Sequence, residues 1–189
     1  MCQILSQEPS NVYFLLYRSF STRIIKHLLK GYVCYVLPLV SYCSQVWAPY
    51  LLADIYALEG VQRLFTRRLP GMEKMSYCDR LKTLKLPSLE LRRLWADLLF
   101  CFKIIHGHVA GPMERYGLKF VTHKREGRGH NLKLCSELGR IDARLHYFGA
   151  RVVKPWNALP VETVNATSVN VFKSNIKDCN FNTFLNLTT

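Results

Sequence analysis

Acidic side chains are scarce in this sequence, and no two of them are adjacent. Its 189 residues contain 13 Asp and Glu against 26 Lys and Arg, which gives a formal net charge of +13. Two-metal catalysis requires clustered carboxylates around two divalent ions about 4 Å apart. The sequence also lacks the glycine-rich loop that cradles phosphates and the turn that presents a nucleophilic serine. We therefore predict that the chain is not an enzyme on its own and requires no cofactor.

Cysteine pairs at metal-binding spacing are missing as well. The seven cysteines are odd in number and include no Cys-x-x-Cys pair, which argues against a disulfide framework and a zinc ribbon. Further candidate ligands fall at spacings that match no standard pattern. They are His106, His108, His123, His130 and Cys135. We predict reduced, mostly buried thiols and no metal site.

No apolar run is long enough to cross a membrane. The longest apolar passage, residues 32–42, is shorter than the roughly 20 residues that a spanning helix needs, and Pro38 interrupts it. The N-terminus, Met1-Cys2-Gln3, has no basic region ahead of an apolar stretch and does not resemble a secretory signal. We predict an intracellular protein, nuclear or cytoplasmic or both, with no membrane partner.

Positive charge is what the sequence has in excess. A net charge of +13 exceeds what solubility requires and indicates a polyanionic partner, either nucleic acid or an acidic membrane surface. We favour nucleic acid, bound through its phosphates without sequence readout. Because apolar residues make up 49% of the chain, it can also bury a core.

Apolar residues recur at helical spacing along most of the chain, which predicts a mostly α-helical fold. An amphipathic helix over residues 21–29 is expected to end near Gly31. Over residues 32–47 a buried helix and a strand are hard to separate, and we favour a helix kinked at Pro38. Further helices are expected to begin at the capping residues Asp54, Ser76, Ser88 and Ser168.

The periodicity fades between Gly111 and Gly139, where basic residues and glycines accumulate, which predicts a basic flexible linker. We therefore expect a helical domain over residues 17–110, a linker over 111–139 and a smaller helical C-terminal lobe over 140–179. Residues 1–16 form a separate N-terminal segment, and residues 180–189 a frayed tail.

Several short strings in this sequence follow one another in a recognisable order. The first is Leu39-Val40-Ser41-Tyr42-Cys43-Ser44-Gln45-Val46-Trp47-Ala48-Pro49-Tyr50. It is followed by Leu58-Glu59-Gly60-Val61-Gln62-Arg63, Ser76-Tyr77-Cys78-Asp79-Arg80-Leu81, Leu86-Pro87-Ser88-Leu89-Glu90-Leu91-Arg92-Arg93 and Lys103-Ile104-Ile105-His106-Gly107. The last are Arg128-Gly129-His130, Arg151-Val152-Val153-Lys154-Pro155-Trp156-Asn157-Ala158-Leu159-Pro160 and Val171-Phe172-Lys173.

In this order the strings resemble the region after the polymerase palm in reverse transcriptases of LINE-type non-LTR retrotransposons, especially jockey-like and related clades. The resemblance spans about residues 17–176. It implies a thumb-like helical bundle followed by a C-terminal extension, which hold template RNA and target DNA. It also implies that the catalytic aspartates of the palm, together with the endonuclease, belong to the parent protein outside this chain.

The candidate nucleic-acid ligands are basic side chains on the predicted helices and linker, together with one aromatic side chain. In the first half of the chain they are Arg63, Arg67, Arg68, Arg92 and Arg93. In the second half they are Lys124, Arg125, Arg128, Lys133, Arg140, Arg144, Arg151 and Lys154. Tyr147 is the candidate for base stacking, whereas Phe148 and Trp156 lie on an apolar stripe and are expected in the core.

Two alternatives stay open at this point. The chain could be a helical protein-interaction module whose apolar surfaces, left exposed by loss of the palm, pack on another protein. Within the parent protein, the missing palm and endonuclease domains are further candidate partners. It could also be a translated transposon remnant without a role.

Overall fold

The structure, a computed structural model, describes Arg18 and residues 24–121, 129–135 and 146–187. Over these residues the chain is mostly α-helical, as the periodicity predicted. It divides into two compact units, unit 1 over Met1–Arg92 with Asn186–Thr189 and unit 2 over Arg93–Leu185. These bounds differ from the domain division expected from the sequence, because periodicity identifies a helix but not the core that each of its turns joins.

From residue 24 onward, the described part of unit 1 consists of helices joined by turns. They are α1 (Ile25–Gly31), a π-helical segment (Tyr32–Val36), α2 (Leu37–Ser41), α3 (Ser44–Trp47), α4 (Leu52–Arg67), α5 (Tyr77–Leu84) and the start of α6 (Leu89–Ile105). Tyr32 and Phe65 stack in its core with ring centroids 4.1 Å apart. Around them pack Leu28, Val36, Leu37, Val40, Val61, Leu69, Met72, Leu84 and Leu89.

The first helix does not end near Gly31 as expected. Gly31 keeps right-handed helical angles, φ −58° and ψ −45°, and the chain continues through the π-helical segment into α2. The amide of Leu37 donates to the carbonyl of Tyr32, the wider hydrogen bond of a π-helix. Pro38 lacks an amide hydrogen, and in a regular α-helix its ring would clash with a carbonyl one turn earlier. The wider turn before Pro38 accommodates the ring, so the helix is altered there rather than ended.

Three of the four expected helix caps are confirmed. The amides of Asp79, Leu91 and Val171 donate to the hydroxyls of Ser76, Ser88 and Ser168, at 3.2, 3.2 and 3.3 Å. The expected cap at Asp54 was wrong, because α4 begins earlier with Leu51 at its N-cap. Asp54 lies in the first turn of α4, where the positive end of the helix dipole still stabilises its carboxylate.

Unit 2 contains the rest of α6, a 3-10 turn (Met113–Tyr116), α7 (Phe148–Arg151), α8 (Val153–Asn157), α9 (Val161–Val164), α10 (Val169–Asp178) and a second 3-10 turn (Asn182–Phe184). In its core Phe102 stacks on Phe172 with centroids 4.3 Å apart, and Trp156 packs beside Phe172. Trp156 and Phe148 are both buried, as expected. None of the helices within the described ranges is long and apolar enough to cross a membrane.

Two segments expected to be loose are folded where the structure describes them. Within the predicted linker, Leu118 and Leu134 are buried, and the amide of Val121 donates to the carbonyl of Lys133 at 3.0 Å. Within the predicted frayed tail, Phe181 and Leu187 are buried. In the linker the apolar residues alternate with polar ones, as in Leu118-Lys119-Phe120 and Leu132-Lys133-Leu134, so helical periodicity did not detect them.

Candidate nucleic-acid interface

The carboxylate of Glu59 is fully buried in unit 1, where it accepts hydrogen bonds from two segments of the chain. The amide of Leu89, at the start of α6, donates to both carboxylate oxygens at 3.1 and 3.0 Å. The hydroxyl of Tyr77, at the start of α5, donates to the same carboxylate. Glu59 therefore fixes the beginnings of α5 and α6 against α4.

The side-chain amide of Gln62 extends this polar network one turn along α4. Its oxygen accepts from the Tyr32 hydroxyl at 3.0 Å, and its nitrogen donates to the Pro87 carbonyl at 2.9 Å and the Tyr77 hydroxyl at 3.2 Å. Burial, and then the charge of Glu59, raises the pKa of both Tyr32 and Tyr77. Both hydroxyls thus stay protonated and act as donors.

Arg80 was not among the predicted site residues, and the structure buries it. Its Nε donates to Thr66 Oγ1 at 3.1 Å and its Nη1 to the Met75 carbonyl at 2.6 Å. The string in which Arg80 occurs was the only sequence signal that could have drawn attention to it. Its contacts make it a brace between α5 and α4.

A second set of hydrogen bonds anchors the string Arg151–Pro160 to other parts of unit 2. Arg151 holds Asp97 with two hydrogen bonds, Nε to Oδ2 at 2.8 Å and Nη2 to Oδ1 at 3.0 Å. The side chain of Asn157 pairs with both the amide and the carbonyl of Leu134, each at 2.9 Å. Burial raises the pKa of Asp97, and the hydrogen bond from Arg151 opposes that rise. These residues stabilise the fold of unit 2.

Two of the predicted phosphate ligands are therefore used internally. Arg151 is committed to Asp97, and Arg93 is only 6% exposed. Arg92 is half-buried beside Tyr32, and burial lowers its pKa. A role for Arg93 or Arg151 in phosphate binding is not supported, because Arg93 is buried and the half-buried Arg151 would have to give up its hydrogen bonds to Asp97.

The arginines at the end of α4 are placed differently. Arg67 and Arg68 are exposed at its C-terminal end. Arg63, one turn earlier, is half-buried with its guanidinium carbon 4.9 Å from the ring centroid of Tyr77 and 5.6 Å from that of Tyr56. Such distances are typical of cation–π contacts. The predicted cluster thus consists of two exposed arginines and a third that two tyrosine rings hold.

The remaining candidates are dispersed. Lys154 is exposed on α8, and Lys133 is half-buried next to the bridge residue Leu134. Tyr147 is 42% exposed, and its hydroxyl donates to the Tyr116 carbonyl at 2.9 Å, so its stacking role stays a prediction. Five candidates lie outside the described residues: Lys124, Arg125, Arg128, Arg140 and Arg144.

Burial of acidic residues makes the surface of unit 1 more basic than its sequence. Glu59 and Glu90 are both buried, and Glu90 accepts hydrogen bonds from the amides of Asn186 and Leu187 at 2.9 and 3.0 Å. Within the described part of unit 1, the exposed acidic residues are Glu73 and Asp79. The exposed basic residues there are Arg18, Lys26, Lys30, Arg67, Arg68, Lys74, Lys82 and Lys85.

No group of three or more potential metal ligands lies together among the residues that the structure describes. Models of known protein families, curated proteins and solved structures give no match to this chain. The family resemblance therefore stays a prediction that rests on the strings themselves.

Proposed function

We propose that this chain is the post-palm region of a LINE-type reverse transcriptase and binds the phosphate backbone of RNA and DNA inside the cell. It binds nucleic acid and does not catalyse a reaction. The polymerase and endonuclease reactions belong to other parts of the parent protein. The observation that carries the proposal is the exposed basic surface of unit 1, with Arg67 and Arg68 at the end of α4.

Two physical features support this proposal. Exposed Lys and Arg side chains can reach phosphate oxygens without breaking internal contacts, and each contact releases condensed counterions. Two carboxylates that would otherwise repel phosphates, those of Glu59 and Glu90, are buried and hydrogen-bonded. The network around Glu59 also holds α4 rigidly, so the terminal arginines project from a fixed element.

The proposal is tested by charge reversal with a matched control. Fluorescence anisotropy at low salt measures binding of the full chain to a labelled duplex of arbitrary sequence. The double variant Arg67→Glu with Arg68→Glu is compared with Lys173→Glu plus Lys177→Glu, which changes net charge equally on the exposed face of α10. We expect the first variant to lose at least tenfold in affinity and the second distinctly less. Equal losses of affinity in the two variants would show that Arg67 and Arg68 are not the main phosphate contacts. Absence of binding by the wild-type chain would overturn the proposal.

A second candidate is docking to another protein through exposed apolar residues at the start of unit 1. Tyr42 and Val46 are 77% and 86% exposed, and Leu39, Leu51 and Leu52 are exposed as well. By the resemblance, the partner would be the palm of the parent polymerase. Co-purification with a separately expressed palm should then survive Arg67→Glu with Arg68→Glu but fail with Val46→Asp.

A further inference from the structure

One face of α4 carries an aromatic residue, a glycine and two arginines in a line. Tyr56, Gly60, Arg63 and Arg67 follow one another at spacings of four, three and four residues, which places them on the same side of the helix. At about 1.5 Å of rise per residue, the line from Tyr56 to Arg67 is roughly 16 Å long. We call it the α4 stripe.

The ring of Tyr56 is exposed but held in place. It is 50% exposed, and the guanidinium carbon of Arg63 lies 5.6 Å from its centroid. Arg63 in turn lies against the ring of Tyr77, whose hydroxyl is bonded to Glu59 and Gln62. Contacts therefore run without interruption from the buried network to an aromatic ring at the surface. A ring ordered in advance loses little conformational entropy when a flat ligand stacks on it.

Gly60 leaves the middle of the stripe open. A Cβ atom added to Gly60 would meet no atom of the described residues within 4 Å, so no neighbouring group among them explains the lack of a side chain. Glycine in a helix interior costs roughly 1 kcal/mol relative to alanine. The backbone between Tyr56 and Arg63 is thus accessible to a ligand that lies along the helix.

Positive charge gathers at the other end of the stripe. Burial lowers the pKa of Arg80, the interaction with Tyr77 opposes this, and the charges of Arg67 and Arg63 lower the pKa further. Three guanidinium groups therefore act on one another at the C-terminal part of α4. An anion bound at the exposed Arg67 would relieve this repulsion.

We propose that the α4 stripe binds a single-stranded segment of nucleic acid, with one base stacked on Tyr56 and a nearby phosphate at Arg67. In a duplex the base faces are covered by their neighbours, whereas an unpaired base can stack on an aromatic side chain. The stripe joins an aromatic face to cationic groups, as single-strand-binding surfaces do. This inference rests on the proposed function and adds to it a strand preference and an aromatic contact.

The test compares single-stranded and duplex oligonucleotides of equal length in anisotropy titrations with the full chain. Tyr56→Ala and Tyr56→Leu should each weaken single-strand binding about 5- to 100-fold and leave duplex binding within twofold. Tyr56→Phe keeps the aromatic face and should bind as wild type. Tyr35→Ala removes a tyrosine that is 60% exposed in the π-helical segment and serves as the matched control.

The leucine variant keeps apolar bulk and helix propensity, so it separates loss of stacking from loss of structure. If Tyr56→Leu binds single strands as tightly as the wild type does, the stacking inference is overturned. Duplex binding by the wild-type chain would still support the proposed function in that case. Equal losses for both nucleic acids, or for Tyr35→Ala, would overturn the stacking inference too. If the wild-type chain binds neither nucleic acid, both proposals fail.

Discussion

A buried carboxylate is tolerated only when hydrogen bonds replace the water it has lost, and Glu59 meets this condition. Its partners are the Tyr77 hydroxyl and the Leu89 amide, and neighbouring Gln62 bonds the Tyr32 hydroxyl and the Pro87 carbonyl. Residues shared by the strings thus meet in one network. At the residue scale, the strings specify how the helices are joined.

Replacing Glu59 with alanine should unfold unit 1 more easily. The change leaves the buried Leu89 amide and the Tyr77 hydroxyl without their acceptor, which costs about 2–4 kcal/mol of unfolding free energy. Urea denaturation followed by circular dichroism measures the loss. Glu73→Ala removes an exposed acidic residue and should stay within about 0.5 kcal/mol of wild type. Equal stability of the two variants would contradict the structural role of Glu59.

Protonation of His130 should destabilise the protein. Its Nε2 lies 3.1 Å from the Trp156 carbonyl and therefore carries the proton of the neutral ring. Its buried Nδ1 has no hydrogen-bond partner within the described ranges, and burial lowers the pKa of the ring. As pH falls through about 6.5, the unfolded chain binds a proton that the folded chain does not. Stability then declines by up to about 1.4 kcal/mol per pH unit until the folded pKa is reached.

Thermal unfolding at pH 7.5 and 5.5 checks the role of His130. The variant His130→Gln keeps an amide donor for the Trp156 carbonyl and cannot be charged. Its melting temperature should fall less than that of the wild type over this interval. The same decline in both proteins would assign the pH dependence to other groups.

At the scale of elements, helix type and several boundaries could be predicted because they depend on local chemistry. The serine caps at Ser76, Ser88 and Ser168 are hydrogen bonds within one turn, and their sequence pattern is short. The continuation through Gly31 could not be predicted, because glycine ends a helix only where the chain turns away. The start of α4 could not be predicted either. The helix begins at Leu52 with Leu51 as its N-cap, and neither leucine is a local start signal, whereas Asp54 resembles one.

The candidate site was predictable to a similar degree. Arg67 and Arg68 lie at the surface as the amphipathic pattern of α4 indicated. The pattern could not show that Arg151 lies against Asp97, since 54 residues separate the two. Nor could it show that Tyr56 lies beside Arg63 at the surface while Tyr77 covers the other part of that guanidinium. Such pairings depend on tertiary contacts, which local patterns in a single sequence do not predict.

Alanine at Gly60 should stabilise α4. The added methyl group meets no atom within 4 Å in the part of the chain that the structure describes, and alanine restricts the unfolded chain more than glycine does. We expect a gain of about 0.5–1 kcal/mol, or roughly 1–4 °C in melting temperature for a chain of this size. Differential scanning calorimetry measures it, with Gly31→Ala as a second helical glycine that is buried in unit 1. A loss of stability in Gly60→Ala would mean that the added methyl group clashes with a neighbouring group.

At the scale of the whole molecule, folding places several acidic residues in the interior and leaves many basic residues at the surface. The chain carries twice as many Lys and Arg as Asp and Glu, and three acidic residues of the described ranges are buried, Glu59, Glu90 and Asp97. Each accepts internal hydrogen bonds: Glu59 from an amide and a hydroxyl, Glu90 from two backbone amides and the Asn186 side chain, and Asp97 from the guanidinium of Arg151. The proposed function assigns the exposed lysines and arginines to an external polyanion.

The salt dependence of duplex binding tests this account most directly. For a chain that grips phosphates, the logarithm of the binding constant falls linearly with the logarithm of salt concentration, with a slope of about −0.9 per phosphate contact. We predict a steep slope for the wild type, and a slope shallower by about 0.9 for Arg67→Gln. Binding that does not change with salt, or no binding at low ionic strength, would contradict the account.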